Sequence, residues 1–211
     1  MYILNTFFNI RWQLLAKLGY AVLIVDGRGS IRRGTAFENH IKGRVGQVEI
    51  DDQVEALEYF SATFGCIDMS RIAIHGWSYG GYLALMGLAT RPDIFKLAIS
   101  GAPVTDWEFY DSAFTERYLG LPEDNPQAYE AANLLLRAHD FPDEEDRLFL
   151  MHGLEDDNVH FGHTSALVET LVKHYKPYNL KIYPSERHGI ESQKALEYYE
   201  AQTIQILGSH L

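Results

Sequence analysis

The stretch Ile72-Ala73-Ile74-His75-Gly76-Trp77-Ser78-Tyr79-Gly80-Gly81 runs from an apolar strand through Gly-x-Ser-x-Gly into a segment of helical composition. Its pattern is that of a nucleophile elbow, a sharp strand-to-helix turn with a serine at its tip. A residue held there takes backbone angles that crowd its neighbours, so Gly76 and Gly80 stand where a β-carbon would collide. The turn lifts the Ser78 hydroxyl above the sheet edge. The backbone N–H of Tyr79 opens the helix and points to where a tetrahedral oxyanion would form. Gly-x-Ser-x-Gly also occurs in ordinary glycine-rich turns. The strand before it and the small residues after it, Gly81, Ala84 and Gly87, favour the nucleophile.

Working outward, Ile10, Leu14, Leu15 and Leu18 fall at helical spacing, with Gly19 as a stop. The apolar run 21–25 predicts a strand covered on both faces. The loop Asp26-Gly27-Arg28-Gly29-Ser30 invites comparison with a dinucleotide fingerprint. Arg32 occupies the third glycine position and no clean helix follows, so a loop with a structural arginine is the better reading. A helix is predicted over 47–64, with Val54, Leu57, Phe60 and Phe64 on one stripe, Asp51 and Asp52 near its positive end, and Gly65 closing it. Downstream, strands are predicted at 96–100, 148–151 and 180–183, and helices at 161–175 and 193–207. This alternation predicts an α/β fold, a mostly parallel sheet with helices on both faces. Between Pro103 and Asp146 the strand rhythm stops, and Trp107, Phe109, Tyr110, Phe114 and Tyr118 form an aromatic group. That group reads either as a satellite core or, because it leaves from the strand edge that carries Ser78, as a pocket wall. The acidic run 143–146 reads as a solvated turn.

A chain of 211 residues, 46% hydrophobic and 22% charged, predicts one ordinary globular domain. The net charge of −11, without a basic stripe, argues against nucleic acid as a partner. The acidity reads chiefly as solvated surface, with a mild preference for a cationic substrate such as a peptide amine. Cys66 is the single cysteine, so no intrachain disulfide forms and a cytoplasmic setting fits. The first ten residues are apolar but are broken by Asn5 and Asn9 and lack a leading basic residue, a poor match to a signal peptide. No apolar run approaches the roughly 20 residues of a membrane span, so no membrane partner is expected.

Serine is a weak nucleophile at neutral pH and needs a histidine to take its proton and an acid to orient that histidine. In α/β hydrolases the order along the chain is Ser, acid, His. Of the seven histidines after Ser78, only His188 lies in the loop directly following the last predicted strand. His75, within the strand, reads as a packed core histidine. Glu155, Asp156 and Asp157 compete for the acid in the loop after 148–151, and position alone leaves the choice open. The acids here, with His160 and His163, read as caps and dipole partners rather than as a metal site, so neither metal nor cofactor is expected.

Taken together, Gly76-Trp77-Ser78-Tyr79-Gly80-Gly81, Tyr110-Asp111-Ser112 with Thr115-Glu116-Arg117-Tyr118, and Asp156-Asp157-Asn158-Val159-His160-Phe161 resemble the serine dipeptidyl peptidases of the prolyl oligopeptidase group. Gly46-Gln47-Val48-Glu49-Ile50 and Tyr183-Pro184-Ser185-Glu186-Arg187-His188 look nearest to its cytosolic branch, that of dipeptidyl peptidases 8 and 9. The resemblance implies an α/β-hydrolase fold in which Ser78 is nucleophile, Asp156 the orienting acid and His188 the base, with Tyr79 donating to the oxyanion. It implies a proline pocket at Tyr79, Val104, Trp107, Tyr110, Phe114 and Val159, with Asn158 holding a substrate carbonyl. Phe114 departs from the family, which often has tyrosine there. The substrates implied are peptides with Pro or Ala second from the N-terminus, and cytosolic homodimers are implied as well. Two family features have no counterpart in this sequence: a β-propeller whose glutamates grip the substrate amine, and an upstream tyrosine completing the oxyanion hole. The expectation is therefore a catalytic domain truncated at its N-terminus, with a sheet strand missing between 21–25 and 72–75, and poorly soluble or weakly active by itself.

Overall fold

The structure is a computed structural model that describes residues 10–211; the stretch 1–9, most of the segment weighed as a signal peptide, lies outside the described residues. In chain order the elements are α1 (Ile10–Lys17), α2 (Thr35–Glu38), α3 (Val48–Phe64), β1 (Ile72–Trp77), α4 (Tyr79–Thr90), β2 (Phe95–Gly101), α5 (Ser112–Leu119), α6 (Pro126–Ala132), β3 (Leu148–Gly153), α7 (Gly162–Lys173), β4 (Asn179–Tyr183) and α8 (Gln193–His210). The four strands pair in the order β1-β2-β3-β4, all parallel.

Alternation along the strands decides which layer each side chain enters. Ile72 and Ile74 of β1, Ala98 of β2 and Leu148 and Leu150 of β3 join α3, α4 and α7 in the larger core. Ala73 and Trp77, Leu97 and Ile99, Phe149 and Met151, and Tyr183 face α8 and the end of α1 on the other side. Both faces are covered, as the continuous apolar runs require. A register shift between Ile72 and Ala73 sets Ile72 opposite Phe95 and Ala73 opposite Leu97, and this skip lets Phe95 and Leu97 enter different layers.

The helix predicted over 47–64 forms, and Gly65 ends it in the left-handed region (φ 62°), its N–H returning to the Ser61 carbonyl. Val54 and Leu57 are buried, but Phe64 at the end of the predicted stripe is 60% exposed and stacks on Phe60. Arg28 is the structural arginine of its loop: its backbone N–H and its guanidinium both reach Asp52 of α3, at 2.6 and 2.8 Å.

Two sequence expectations need correction. The run 21–25 is not a strand. An extended segment becomes a strand only where an edge pairs with it, and among the described residues β1 pairs with β2 alone. Leu23 packs on the core while Val22 and Ile24 stay exposed, so the run keeps a half-buried alternation without a ladder. It does not pair with β1, and the expected gap between the two is not closed that way. His75 is likewise not a packed core histidine. It lies exposed on β1, where its Nε2 meets the Tyr199 hydroxyl of α8 at 2.6 Å.

Candidate active site

The serine turn forms as the glycine pattern predicts. Ser78 sits between β1 and α4 at φ 60°, ψ −121°, a conformation that costs a non-glycine residue on the order of 1–3 kcal/mol and persists only where surroundings fix it. Its N–H donates to the Gly101 carbonyl at 2.8 Å and its carbonyl accepts from Tyr82 N–H at 3.0 Å. A β-carbon on Gly76 would lie 2.2 Å from the Gly80 carbonyl oxygen, which is backbone and cannot swing aside. Gly76→Ala is therefore expected to cost about 3 kcal/mol, the upper end of overpacking, checked by denaturant unfolding; an unchanged midpoint would show that the turn can open. Tyr79 is the first residue of α4, so its N–H precedes the helical ladder and has no acceptor within the helix.

Ser78, His188 and Asp156, from the ends of β1, β4 and β3, lie in one row. His188 Nε2 is 2.9 Å from Ser78 Oγ, and its Nδ1 is 2.8 Å from Asp156 Oδ2. Since the carboxylate can only accept, His188 carries its proton on Nδ1 and offers Nε2 to the serine hydroxyl. Asp156 is 4% exposed, and its Oδ1 accepts the N–H groups of Asn158 and Val159, each at 2.9 Å. The other two acids of this loop go elsewhere: Glu155 is exposed and Asp157 meets Arg187 at 3.3 Å.

The loops that carry acid and histidine are tied together. Leu154 and Glu155 donate to the carbonyls of Tyr183 and Glu186, and a β-carbon on Gly153 would lie 2.3 Å from the Glu186 carbonyl oxygen. The Glu186 carboxylate gathers the Ser192 hydroxyl and the Glu191 N–H, fixing the turn into α8. Trp77 Nε1 donates to the His188 carbonyl at 2.6 Å, which ties the histidine directly to the strand bearing Ser78.

A second histidine touches the acid, one that the sequence reading passed over. His152 is fully buried at the end of β3, and its Nε2 lies 3.1 Å from Asp156 Oδ2 and 2.9 Å from the Val159 carbonyl oxygen. Both neighbours are acceptors, so Nε2 holds the proton and Nδ1 accepts from the Thr164 hydroxyl at 2.7 Å. Burial also lowers its pKa, favouring the neutral ring. Its signal in the sequence is a histidine closing an apolar strand four residues before an aspartate.

A sequence profile of the prolyl oligopeptidase family matches residues 5–208. The chain belongs to that family. It is 51% identical over 201 residues to dipeptidyl peptidase 8 of Homo sapiens and of Mus musculus, covering 95% of this chain and 22% of each relative. Dipeptidyl peptidase 4 of Sus scrofa is 41% identical over 198 residues, 92% of this chain and 26% of that protein. A crystal structure of a dipeptidyl aminopeptidase IV-like protein from Bacteroides ovatus superposes with a TM-score of 0.82 at 31% identity, over 88% of this chain and 26% of the other. This prolyl oligopeptidase family chain thus spans about a quarter of the length of the relatives it matches. Its parallel four-stranded sheet and helices fit the α/β-hydrolase fold of that neighbour. Among the described residues no helix is long and apolar enough to cross a membrane.

The aromatic group of this family member forms two layers. Val104, Trp107 and Val159 are buried within the main core. Tyr79, Tyr110 and Phe114 are half-buried and Asn158 is exposed. The outer layer is continuous from the serine turn to the acid loop: Tyr79 meets Phe114 at 5.7 Å between ring centroids, Phe114 meets Tyr110 at 6.0 Å, and the Tyr110 hydroxyl donates to Asn158 Oδ1 at 2.9 Å. Trp107 backs it, stacked on Phe114 at 5.5 Å. These contacts make the group part of the main core on its inner side, not a satellite core, and leave its outer side facing solvent.

Proposed function

We propose that this chain is the catalytic unit of a serine exopeptidase that releases N-terminal dipeptides with Pro or Ala in second position. The observation that carries the reading is the Ser78–His188–Asp156 row, with 2.9 and 2.8 Å contacts. In the reaction His188 Nε2 takes the Ser78 proton as Oγ attacks the peptide carbonyl, and Asp156 holds the imidazolium that forms. The carbonyl oxygen becomes an oxyanion that the Tyr79 N–H stabilises. Collapse breaks the C–N bond, His188 returns the proton to the departing amine, and an acyl-enzyme remains. Water then repeats the sequence, with His188 as base, and frees the dipeptide.

The proline ring would rest against the wall formed by Tyr79, Tyr110 and Phe114, backed by Trp107, Val104 and Val159. Asn158 Oδ1 is occupied by the Tyr110 hydroxyl, so the side-chain NH2 is the group left to donate to a substrate carbonyl. The names of the relatives, dipeptidyl peptidases 8 and 4, support the release of dipeptides. Comparing hydrolysis of a Gly-Pro anilide with that of a simple ester tests the reading. A strong preference for the anilide supports it. Equal turnover would favour a less selective acylaminoacyl peptidase or esterase, and no turnover of either an inactive domain that acts by association.

Trp107, at 1% exposure, is expected to cost about 3–5 kcal/mol in stability when cut to alanine, whatever its role in binding. The pocket role predicts something more. In folded Trp107→Ala protein, kcat/KM should fall at least about 10-fold further on the anilide than on the ester, since only the former presents a ring to the wall. Parallel losses on both substrates would reduce the tryptophan to core.

A further inference from the structure

Among the buried acids, Glu49 stands apart. It lies in the first turn of α3, where a carboxylate normally faces water and the helix dipole, as its neighbour Asp51 does. Glu49 is only 8% exposed. Asp52, just past that turn, is offset by Arg28, whereas the described hydrogen bonds of Glu49 are to two uncharged donors. One carboxylate oxygen accepts the Gly46 N–H at 3.0 Å, the reach-back bond that starts a helix. The other accepts the Tyr79 hydroxyl, thirty residues away in the chain, on the residue that follows the nucleophile.

Helix starting needs only the first of these bonds, and an exposed glutamate performs it without loss of solvation. The second bond explains why the carboxyl is inside. The Tyr79 ring is gripped by Tyr82 at 5.9 Å, Trp107 at 5.8 Å and Phe114 at 5.7 Å, contacts that fix its plane, and the hydroxyl bond fixes its far end. Its near end is the backbone of the strained Ser78–Tyr79 turn. Resting on the hydrolase reading above, we propose that Glu49 is a positioning residue: by anchoring the Tyr79 phenol it holds the Tyr79 N–H at the oxyanion and the Tyr79 ring at the inner end of the aromatic wall.

The loop below supports the anchor. Gly46 takes φ 80°, a β-carbon there would lie 2.4 Å from the Tyr82 hydroxyl, and that hydroxyl donates to the Val45 carbonyl at 3.1 Å. Glu49 therefore rests on a turn that is itself locked against α4. Burial, followed by the charge of Glu49 and its hydrogen bond, pushes the Tyr79 phenol well above its ordinary pKa, so it stays a donor at every working pH.

The test is the second-order rate at which a fluorophosphonate probe labels Ser78, because phosphonylation needs the nucleophile and the oxyanion donor but no peptide specificity. Glu49→Leu and Tyr79→Phe should each slow labelling by on the order of 10- to 100-fold, the scale of a misplaced reacting group. The double variant should be no slower than the worse single, since both remove one tie. Glu49→Gln, which keeps an oxygen able to accept from Tyr79, should label at a rate between wild type and Glu49→Leu. If Glu49→Leu does not fold, Tyr79→Phe, which loses one hydroxyl from a packed ring, carries the test alone. Labelling at the wild-type rate in folded variants that only melt earlier would reduce Glu49 to a helix-starting residue and overturn the proposal. So would additive losses in the double variant. Wild-type chain that is unlabelled, or Ser78→Ala chain that is labelled, would instead overturn the hydrolase reading, and the positioning role with it.

Discussion

Ser78→Ala is expected to lower hydrolysis of a Gly-Pro anilide by on the order of 10⁶-fold, the scale on which a triad loses its nucleophile. The substitution is clean. Alanine at φ 60° is as strained as serine, so the turn gains no relief and suffers no new clash. What disappears is the Oγ atom and its 2.9 Å contact with His188 Nε2, worth about 1 kcal/mol in stability, so thermal unfolding should move by a few degrees at most. His188 keeps its place through Asp156 and through the Trp77 bond to its carbonyl. The residual rate then reflects the Tyr79 N–H and substrate binding acting on water alone. Measured on purified protein, with the fluorophosphonate probe as an independent count of reactive serine, retained turnover would remove Ser78 from the mechanism. A matching collapse in the unfolding midpoint would mean that the lost activity was lost structure.

Much of this site is legible in the chain because its parts are local. The serine turn is written in adjacent glycines, and the strands that deliver Asp156 and His188 are continuous apolar runs bounded by polar turns. The choice among Glu155, Asp156 and Asp157 is different in kind. It depends on which side chain curls back to accept the N–H groups of Asn158 and Val159, a turn geometry that three adjacent acids do not reveal. In the sequence, only family likeness favours the middle one. The failure at 21–25 is also instructive: the run has the composition of a buried strand, but a strand is a relation between two edges, and sequence pattern describes one. Trp107 and His152 were hard to read for a shared reason. A residue can be core on one side and back a solvent-facing layer or touch an acid on the other, and periodicity reports only that it is buried.

Asp156→Asn is expected to cost about 10⁴-fold in kcat, the effect seen when a triad aspartate becomes asparagine, and the geometry here explains why the loss should be so large with little structural change. Asparagine has one oxygen and one NH2 where aspartate has two acceptors. The Oδ1 position faces two fixed backbone donors, the N–H groups of Asn158 and Val159, so the amide oxygen must take that side. The NH2 then falls at the Oδ2 position, facing His188 Nδ1 and His152 Nε2. His152 can turn its proton wholly to the Val159 carbonyl at 2.9 Å and loses little. His188 has no such escape. To meet a donor its Nδ1 must become the acceptor, which moves its proton to Nε2 and aims an N–H at the Ser78 hydroxyl it was to deprotonate. The ring stays in place in the wrong tautomer, so KM should change little while kcat falls. Stability should drop by only about 1–3 kcal/mol, the cost of imperfectly paired buried polar groups. A pH–rate profile is the decisive measurement. Raising the pH should restore part of the lost rate, because hydroxide can replace the missing base. An Asp156→Asn enzyme within 10-fold of wild type across the pH range would show that His188 does not need this carboxylate to hold its tautomer.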